Sequence, residues 1–434
     1  MAKGRCPRRD AADPAKSSMP AAWHGPPSIT PARAWPKWAW CRCLVGWEYL
    51  SPAGAHGPAG HHTHSPLRRR AGAMPEISHS IHIPISTPQQ SGGFPMQIRQ
   101  VVVTGQNQVV LEEAELEEGP LGPDELLIET QYTFISAGTE LANYTGREPK
   151  VFQPGQWCTY PWKSGYANVG VVRAVGERVT RARPGQRVFT YGNHASALRY
   201  SQQRLVVPVP EEMDGVLAAA SRMAGVAATV LFVAEIRENP WVAVFGLGMV
   251  GNLAAQFFQA RGCRVIGVDP VAHRRELAGR CGIETTVGGQ PEEVQAQILE
   301  LTGGEGADIT VDAVGHSGVV MQALRATARF GQIILLGTPR VSVPGDLTDL
   351  LSDVHLRMIT VRGALEWLLP MYPDIGKRPS QYSKQQMIFD WIQRGKLQLE
   401  PLISHRLPPT QIREAYEGLL HQPETYTGVA LVWE

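Results

Sequence analysis

From Met96 onward the chain carries two hydrophobic rhythms in succession. The first is a set of short runs in which apolar and polar residues alternate: VVLEEAEL (109–116), DELLIETQYTFIS (124–136), YANVGVVRAVG (166–176), GQRVFTYG (185–192) and RLVVPVP (204–210). A period of two is the pattern of half-buried strands, and Gly170, Gly176 and Gly185 punctuate the runs as in a small β-barrel. The second rhythm alternates apolar strands with helix-length stretches. It runs from strand 242–245 through a helix to Ala260 and a strand ending at Asp269, then helix 271–280, strand 284–287 and helix 291–301. Strand 308–314, helix 318–328, strand 332–336 and a last strand, 358–363, complete it. Such alternation predicts an α/β doubly wound parallel sheet. The tail from Leu397 returns to strand character in GVALVWE. The predicted organisation is an extension over 1–95, a barrel over 96–214, an α/β domain over 215–366, and a return to the barrel over 367–434.

Residues 1–95 break this pattern. They hold five of the 11 Trp and seven of the 13 His, and no helical or strand period persists. The segment is read as a disordered extension, or as a misassigned upstream start. It also separates the charge: 11 Lys/Arg against 4 Asp/Glu give it +7, leaving −6 on the remainder of a chain whose net charge is +1. A mildly acidic body has no electrostatic reason to seek nucleic acid or an anionic membrane. The longest apolar run, 216–236, is interrupted by Ser221-Arg222, so no membrane span is predicted. The six Cys show no C-x-x-C spacing in the body, which fits a reducing cytoplasm and argues against a Cys-rich zinc site.

The strongest chemical signal is WVAVFGLGMVGNLAAQFFQARGCRVIGVDP (241–270). Gly246 permits a tight turn, Gly248 lets backbone approach a diphosphate, and Gly251 lets helix pack on strand. The helix start, with Leu247, Met249 and Val250 around the glycines, offers N–H groups to phosphate. Asp269, 18 residues after Gly251, would accept hydrogen bonds from the adenosine ribose hydroxyls and repel a 2′-phosphate. NAD(H) is therefore preferred, with NADP(H) possible because Arg274 and Arg275 follow. The strand ends at Val314 and Gly337 fall on the cofactor side of the sheet.

Together SAGTEL (136–141), SGYANVGVVRAVG (164–176), PGQRVF (184–189) and GLGMVG (246–251) resemble the medium-chain dehydrogenase/reductase superfamily, with Met96–Glu434 covered. The resemblance implies a GroES-like barrel ahead of a Rossmann domain. Zinc-dependent members of the superfamily hold a catalytic metal with a Cys in the first of these loops, a His and often a Glu in the second, and a Cys or acid on the interdomain helix. Here Ala137 stands at the first place, Tyr166 and Ala167 at the second, and Met223, by a looser alignment, at the third. Zinc needs three good ligands, so the chain resembles a zinc-free, alcohol-dehydrogenase-like branch with an S-A-G-T-E loop.

Without a metal, a protein donor must serve the substrate oxygen. The candidates are Thr139, which occupies the hydroxyl position of the relatives' proton relay; Tyr166, at the His position; and His194, the one His of the barrel near this group. Their plain alternatives are a loop Thr, an aromatic wall and a solvated His. Glu140 is expected to hold the loop by hydrogen bonding, and Lys163 to line the mouth. His355 is placed at the start of the last strand, in a structural role. That strand forms a sheet edge, and pairing with its copy predicts a homodimer. The resemblance implies an NAD(P)-dependent oxidoreductase acting on a small alcohol or carbonyl. The alternatives are an enone or quinone reductase and a non-catalytic NAD(P)H-binding protein.

Overall fold

The computed structural model describes residues 96–116, 119–373 and 379–433. The 1–95 extension anticipated from composition lies outside the described residues. A six-stranded sheet runs in the order Thr286–Val287, Arg264–Val268, Trp241–Phe245, Ala307–Asp312, Thr327–Leu335, Thr360–Gly363. Every neighbouring pair in it is parallel. In chain order this is 3-2-1-4-5-6, the Rossmann arrangement. The strand order, not the strand direction, reverses between Trp241–Phe245 and Ala307–Asp312, so a crevice opens beyond their carboxyl ends. Helices Met249–Gln259 and Ser317–Ala326 pack against these two strands.

The barrel half is antiparallel apart from one pair. Its larger sheet orders His405–Leu407, Val429–Val432, Glu125–Phe134, Asn168–Val175, Arg187–Thr190 and Val206–Pro208, with Ala197–Ser201 also paired to Glu125–Phe134. The strand Val429–Val432 lies antiparallel to Glu125–Phe134, so the chain's end closes the barrel that its middle began. A smaller sheet joins Gln108–Leu116, Met96–Gly105 and Trp162–Lys163.

One helix ties the halves together. Asp214 caps Gly215–Ala227 by accepting from Leu217 N–H at 2.9 Å, and almost every side chain of the helix is buried. It packs on Met249–Gln259, on the strand Glu125–Phe134 and on the helix Gln381–Gln393. The stretch Gly215–Val233 is long and apolar enough to cross a membrane, but 72% of it is buried within the protein.

Three local features differ from the sequence reading. The S-A-G-T-E segment is a helix, Ala137–Tyr144, rather than an open loop. Ala197–Ser201 is a strand that its mixed composition hid. His355 sits in the last turn of a helix, Leu347–Arg357, rather than at a strand start. Asp346 caps that helix by accepting from Thr348 and Asp349 N–H, and the strand begins only at Thr360. No residue of this helix is buried. Leu347, Leu351 and Leu356 on it, with Val361 on the edge strand and Leu365 beyond, form an exposed apolar surface.

Candidate functional site

Beyond the strand Trp241–Phe245 the chain turns through Gly246, whose φ of +93° suits only glycine. A Cβ on Gly251 would lie 1.8 Å from the carbonyl oxygen of Gly246, so only glycine lets this helix start against the turn. A Cβ on Gly248 would meet no atom within 4 Å, leaving open space in front of the helix start. No side chain caps the helix Met249–Gln259, so its first N–H groups face that space unsatisfied. Leu247 N–H donates to Asp269 Oδ2 at 2.8 Å, and Val271 N–H donates to Oδ1 at 2.9 Å. These bonds fix the carboxylate beside the turn. Arg274 Nη1 lies 3.6 Å from Oδ2, and Arg275 donates instead to the backbone oxygen of Asp269 at 2.7 Å. Leu247 and Met249 are buried in the core, Val250 packs against it, and Val314 is exposed across the turn from Gly246. Gly337 closes the adjacent strand end, where a Cβ would fall 2.2 Å from Gly315 N. An open approach over Gly248, an uncapped helix start and a fixed carboxylate fit a nicotinamide dinucleotide.

The barrel side presents a second group. Glu140 is fully buried and turns back to its own helix start, its Oε1 accepting from Ser136 N–H at 2.8 Å. This is the loop-holding bond expected of it. Oε2 accepts from the Tyr416 hydroxyl at 2.7 Å and lies 3.0 Å from His194 Nε2. The Ser164 hydroxyl bonds to Tyr416 at 2.7 Å. The Ser136 N–H, the Ser164 and Tyr416 hydroxyls and the His194 ring thus surround one buried carboxylate, the last three from remote segments.

Tyr166 lies above this group, partly exposed, and its hydroxyl donates to Ser136 Oγ. The Thr139 hydroxyl also faces that phenol. Burial pushes the Tyr166 phenol up, while Arg222, Ser136 and Thr139 pull it back down. Of the three sequence candidates, Tyr166 and Thr139 therefore meet at one partly exposed point. His194 is fully buried beneath them, with Nε2 on Glu140 and Nδ1 lacking a protein partner. Lys163 is exposed at the outer strand Trp162–Lys163.

The sequence reading passed over Arg222. Met223, the residue aligned with the third metal position, is buried in the apolar core. Its neighbour Arg222 is the residue that faces Tyr166, with its guanidinium carbon 4.6 Å from the Tyr166 ring centroid and 4.5 Å from that of Tyr191. Arg222 is 1% exposed and forms a two-pronged ion pair with Glu366, one bond of which is 2.8 Å. Burial works against this charge, but Glu366 and the two phenols hold the guanidinium protonated above its usual range. Lys384 Nζ lies 4.0 Å from Glu366 and donates to Gly225 O at 2.8 Å; burial pushes it down to about 8. The sequence held a signal for this cluster, an Arg in an otherwise apolar buried helix, which marks a charge that must find a partner.

The residues that the resemblance puts at the metal positions, Ala137, Tyr166, Ala167 and Met223, make a donor set that does not fit zinc. Among the described residues, no three His, Cys, Asp or Glu side chains converge.

Residues 249–372 match the family described as zinc-binding dehydrogenase. L-threonine 3-dehydrogenase of Bacillus licheniformis is 28% identical over 41% of this chain and 47% of its own length. The chain thus spans about half the length of that relative. D-guloside 3-dehydrogenase of Shigella flexneri is 24% identical over 71% of this chain and 92% of its own. A solved short-chain alcohol dehydrogenase of Escherichia coli CFT073, complexed with cofactor NADH, superposes with a TM-score of 0.64. It is 18% identical and covers 78% of this chain and 99% of that one. The fold is the one this chain shares with that solved dehydrogenase. Within that fold the glycine turn and the Tyr166 pocket belong to the two halves that the interdomain helix joins.

Proposed function

We propose that the chain is an NAD(P)-dependent oxidoreductase that moves hydride to or from a small alcohol or carbonyl substrate without catalytic zinc. The observation that carries this reading is the phenol of Tyr166, a hydroxyl shared with Ser136 and Thr139 where the resemblance puts a zinc ligand. The relatives named as threonine, guloside and alcohol dehydrogenases support a hydroxyl-bearing substrate rather than an activated double bond. A nicotinamide dinucleotide bound at the glycine turn would supply or accept the hydride. The protein's own part is proton handling and orientation. Tyr166 holds its proton at neutral pH, because burial raises the phenol, and is set to give it to a substrate oxygen. Ser136 and Thr139 fix the phenol's direction. Glu140, backed by His194, Tyr416 and Ser164, holds the helix that carries both hydroxyls. We assign His194 this supporting role rather than contact with substrate.

Purified protein should contain no stoichiometric zinc, keep its activity in the presence of a chelator, and lose about 10²–10⁴-fold in kcat on Tyr166→Phe. One tightly held zinc per chain, with activity lost to the chelator, would overturn the reading. We also propose a homodimer built on the edge strand Thr360–Gly363 and the apolar surface of helix Leu347–Arg357. Light scattering should report two chains per particle, and Val361→Asp with Leu356→Glu should reduce it to one.

A further inference from the structure

Arg222 is costly where it stands. Taking an ion out of water costs several kcal/mol even after relaxation, and well-packed apolar residues in place of a buried ion pair are often neutral or stabilising. A Met at 222 opposite a Met at 366 would fill the same space, so packing alone gives no reason for the pair. Three observations point to a reason. The guanidinium is sandwiched between two phenols, at 4.6 Å from the Tyr166 ring and 4.5 Å from the Tyr191 ring. Its two Nη groups are held by Glu366, while its Nε–H is buried with no partner. Glu366 is shared with Lys384, so one carboxylate faces two cations.

The neighbours can be named from every side. Gln381 accepts from the Tyr191 hydroxyl at 3.2 Å and donates to the Glu366 backbone at 2.5 Å, fixing the far side of the sandwich. On the near side Tyr166 faces Ser136 and Thr139, with Glu140 beyond them. The cluster of Arg222, Lys384 and Glu366 carries one positive charge in excess while Lys384 is protonated. The face of an aromatic ring attracts a cation, and more strongly when the ring bears a phenolate.

We infer that Arg222 acts as the fixed positive charge of this pocket, stabilising the negative charge that develops on Tyr166 as its proton passes to the substrate oxygen. This rests on the proposed role of Tyr166. The proton leaves the phenol oxygen for the substrate oxygen, and the electron pair of the broken O–H bond stays on the ring facing the guanidinium. Arg222 itself gives up nothing. Arg222 is in this sense a positioning and electrostatic group, held rigid by Glu366, and makes no contact with substrate.

The test reads Tyr166 directly, without substrate. Protein carrying trifluorotyrosine brings phenol ionisation into the range where the chain is folded, and ¹⁹F NMR follows each ring through pH. The Tyr166 signal is the one missing from Tyr166→Phe. Since Arg222→Met alone leaves Glu366 buried and unpaired, the deciding variant is Arg222→Met with Glu366→Met, compared with Arg222→Lys. We expect the double variant to raise the Tyr166 ionisation by up to about 1–3 pH units, the range for loss of an opposite charge, less what removal of the Glu366 carboxylate behind the guanidinium gives back. Arg222→Lys should restore part of the shift, and kcat should follow the ionisation while NADH affinity stays at the parent value. A folded double variant whose Tyr166 ionises at the parent pH would overturn the inference. If instead the ionisation shifts but Tyr166→Phe keeps full activity, the charge coupling stands and the proposed role of Tyr166 falls.

Discussion

At the glycine turn every group that would meet a diphosphate comes from one strand–helix unit: the turn at Gly246, the open approach over Gly248 and the uncapped start of helix Met249–Gln259. At the Tyr166 pocket the groups come from segments far apart in the chain, and Arg222 and Glu366 alone are separated by 144 residues. The turn uses neutral backbone dipoles, and the pocket uses whole charges. A site made of backbone depends on steric permission, so it fails when a methyl group intrudes. A site made of buried charges depends on balance, so it fails when one partner is removed.

The steric side breaks most severely at Gly251. Gly251→Val places carbon where the Gly246 carbonyl already lies 1.8 Å from a Cβ, and should cost at least the top of the about 1–3 kcal/mol range for overpacking. Both melting temperature and NADH binding should be lost. Gly248→Ala is its control, because that methyl meets no protein atom. It should leave the melting temperature near the parent's while weakening NADH about tenfold, since the backbone can no longer approach the diphosphate. Equal loss of stability in both would mean that the space over Gly248 is not reserved for a ligand.

The charged side breaks next. Glu366→Ala leaves Arg222 buried and unpaired and should cost about 3–5 kcal/mol in denaturant unfolding. Glu140→Gln should cost less, because it leaves no buried guanidinium without its carboxylate and the amide oxygen still accepts from the Ser136 N–H or the Tyr416 hydroxyl. A Glu140→Gln loss matching that of Glu366→Ala would erase the distinction between the two buried carboxylates.

Lys384 sharpens the balance through pH. Its folded value of about 8 lies below the ordinary 10.5, so between these values the unfolded chain binds the extra proton. Stability linked to Lys384 therefore rises with pH across that window and is lost as pH falls through about 8. The thiols of Cys263 and Cys281, pushed up to about 11 by burial, act in the opposite sense but are common to parent and variant. The difference in unfolding free energy, parent minus Lys384→Met, should thus grow from pH 8 to 10. A difference flat across that range would mean that the lysine titrates as in water.

The same contrast decides what the sequence could disclose. The strand–helix alternation and the glycine turn were legible because periodicity and spacing are local, and helix 291–301 was placed to the residue. Helix Leu347–Arg357 was missed because only Leu350 and Val354 lean on the core and none of its residues is fully buried, so its apolar residues did not announce a core face. Ala197–Ser201 was missed because a five-residue strand with Arg and Ser carries little pattern. Arg222 appeared only as an interruption of an apolar run, since its partners Glu366, Tyr166 and Tyr191 are brought together by the tertiary fold. His194 looked like a loop imidazole for the same reason. Its partner Glu140 is 54 residues earlier, and nothing in the local sequence indicates that both are fully buried.

The smallest expected effect concerns cofactor choice, where a fixed charge meets the backbone site. Asp269 accepts from Leu247 N–H at 2.8 Å, holding the turn, and we propose that it also presents negative charge where a 2′-phosphate would sit. Arg274, 3.6 Å away, is neutralised in part by that carboxylate. Asp269→Asn keeps an oxygen for Leu247 N–H, removes the repulsion and frees Arg274 for a phosphate. NADPH binding should tighten about tenfold relative to NADH, about 1.4 kcal/mol, with the melting temperature little changed. Asp269→Ala removes the acceptor as well, so it should weaken both cofactors. Adding Arg274→Ala to Asp269→Asn should remove most of the gain for NADPH, because the repulsion is gone but the cation is too. Fluorescence titration of both cofactors against the three variants decides it. An unchanged ratio in Asp269→Asn would show that the carboxylate acts only as a clamp on the turn and plays no part in choosing the nucleotide.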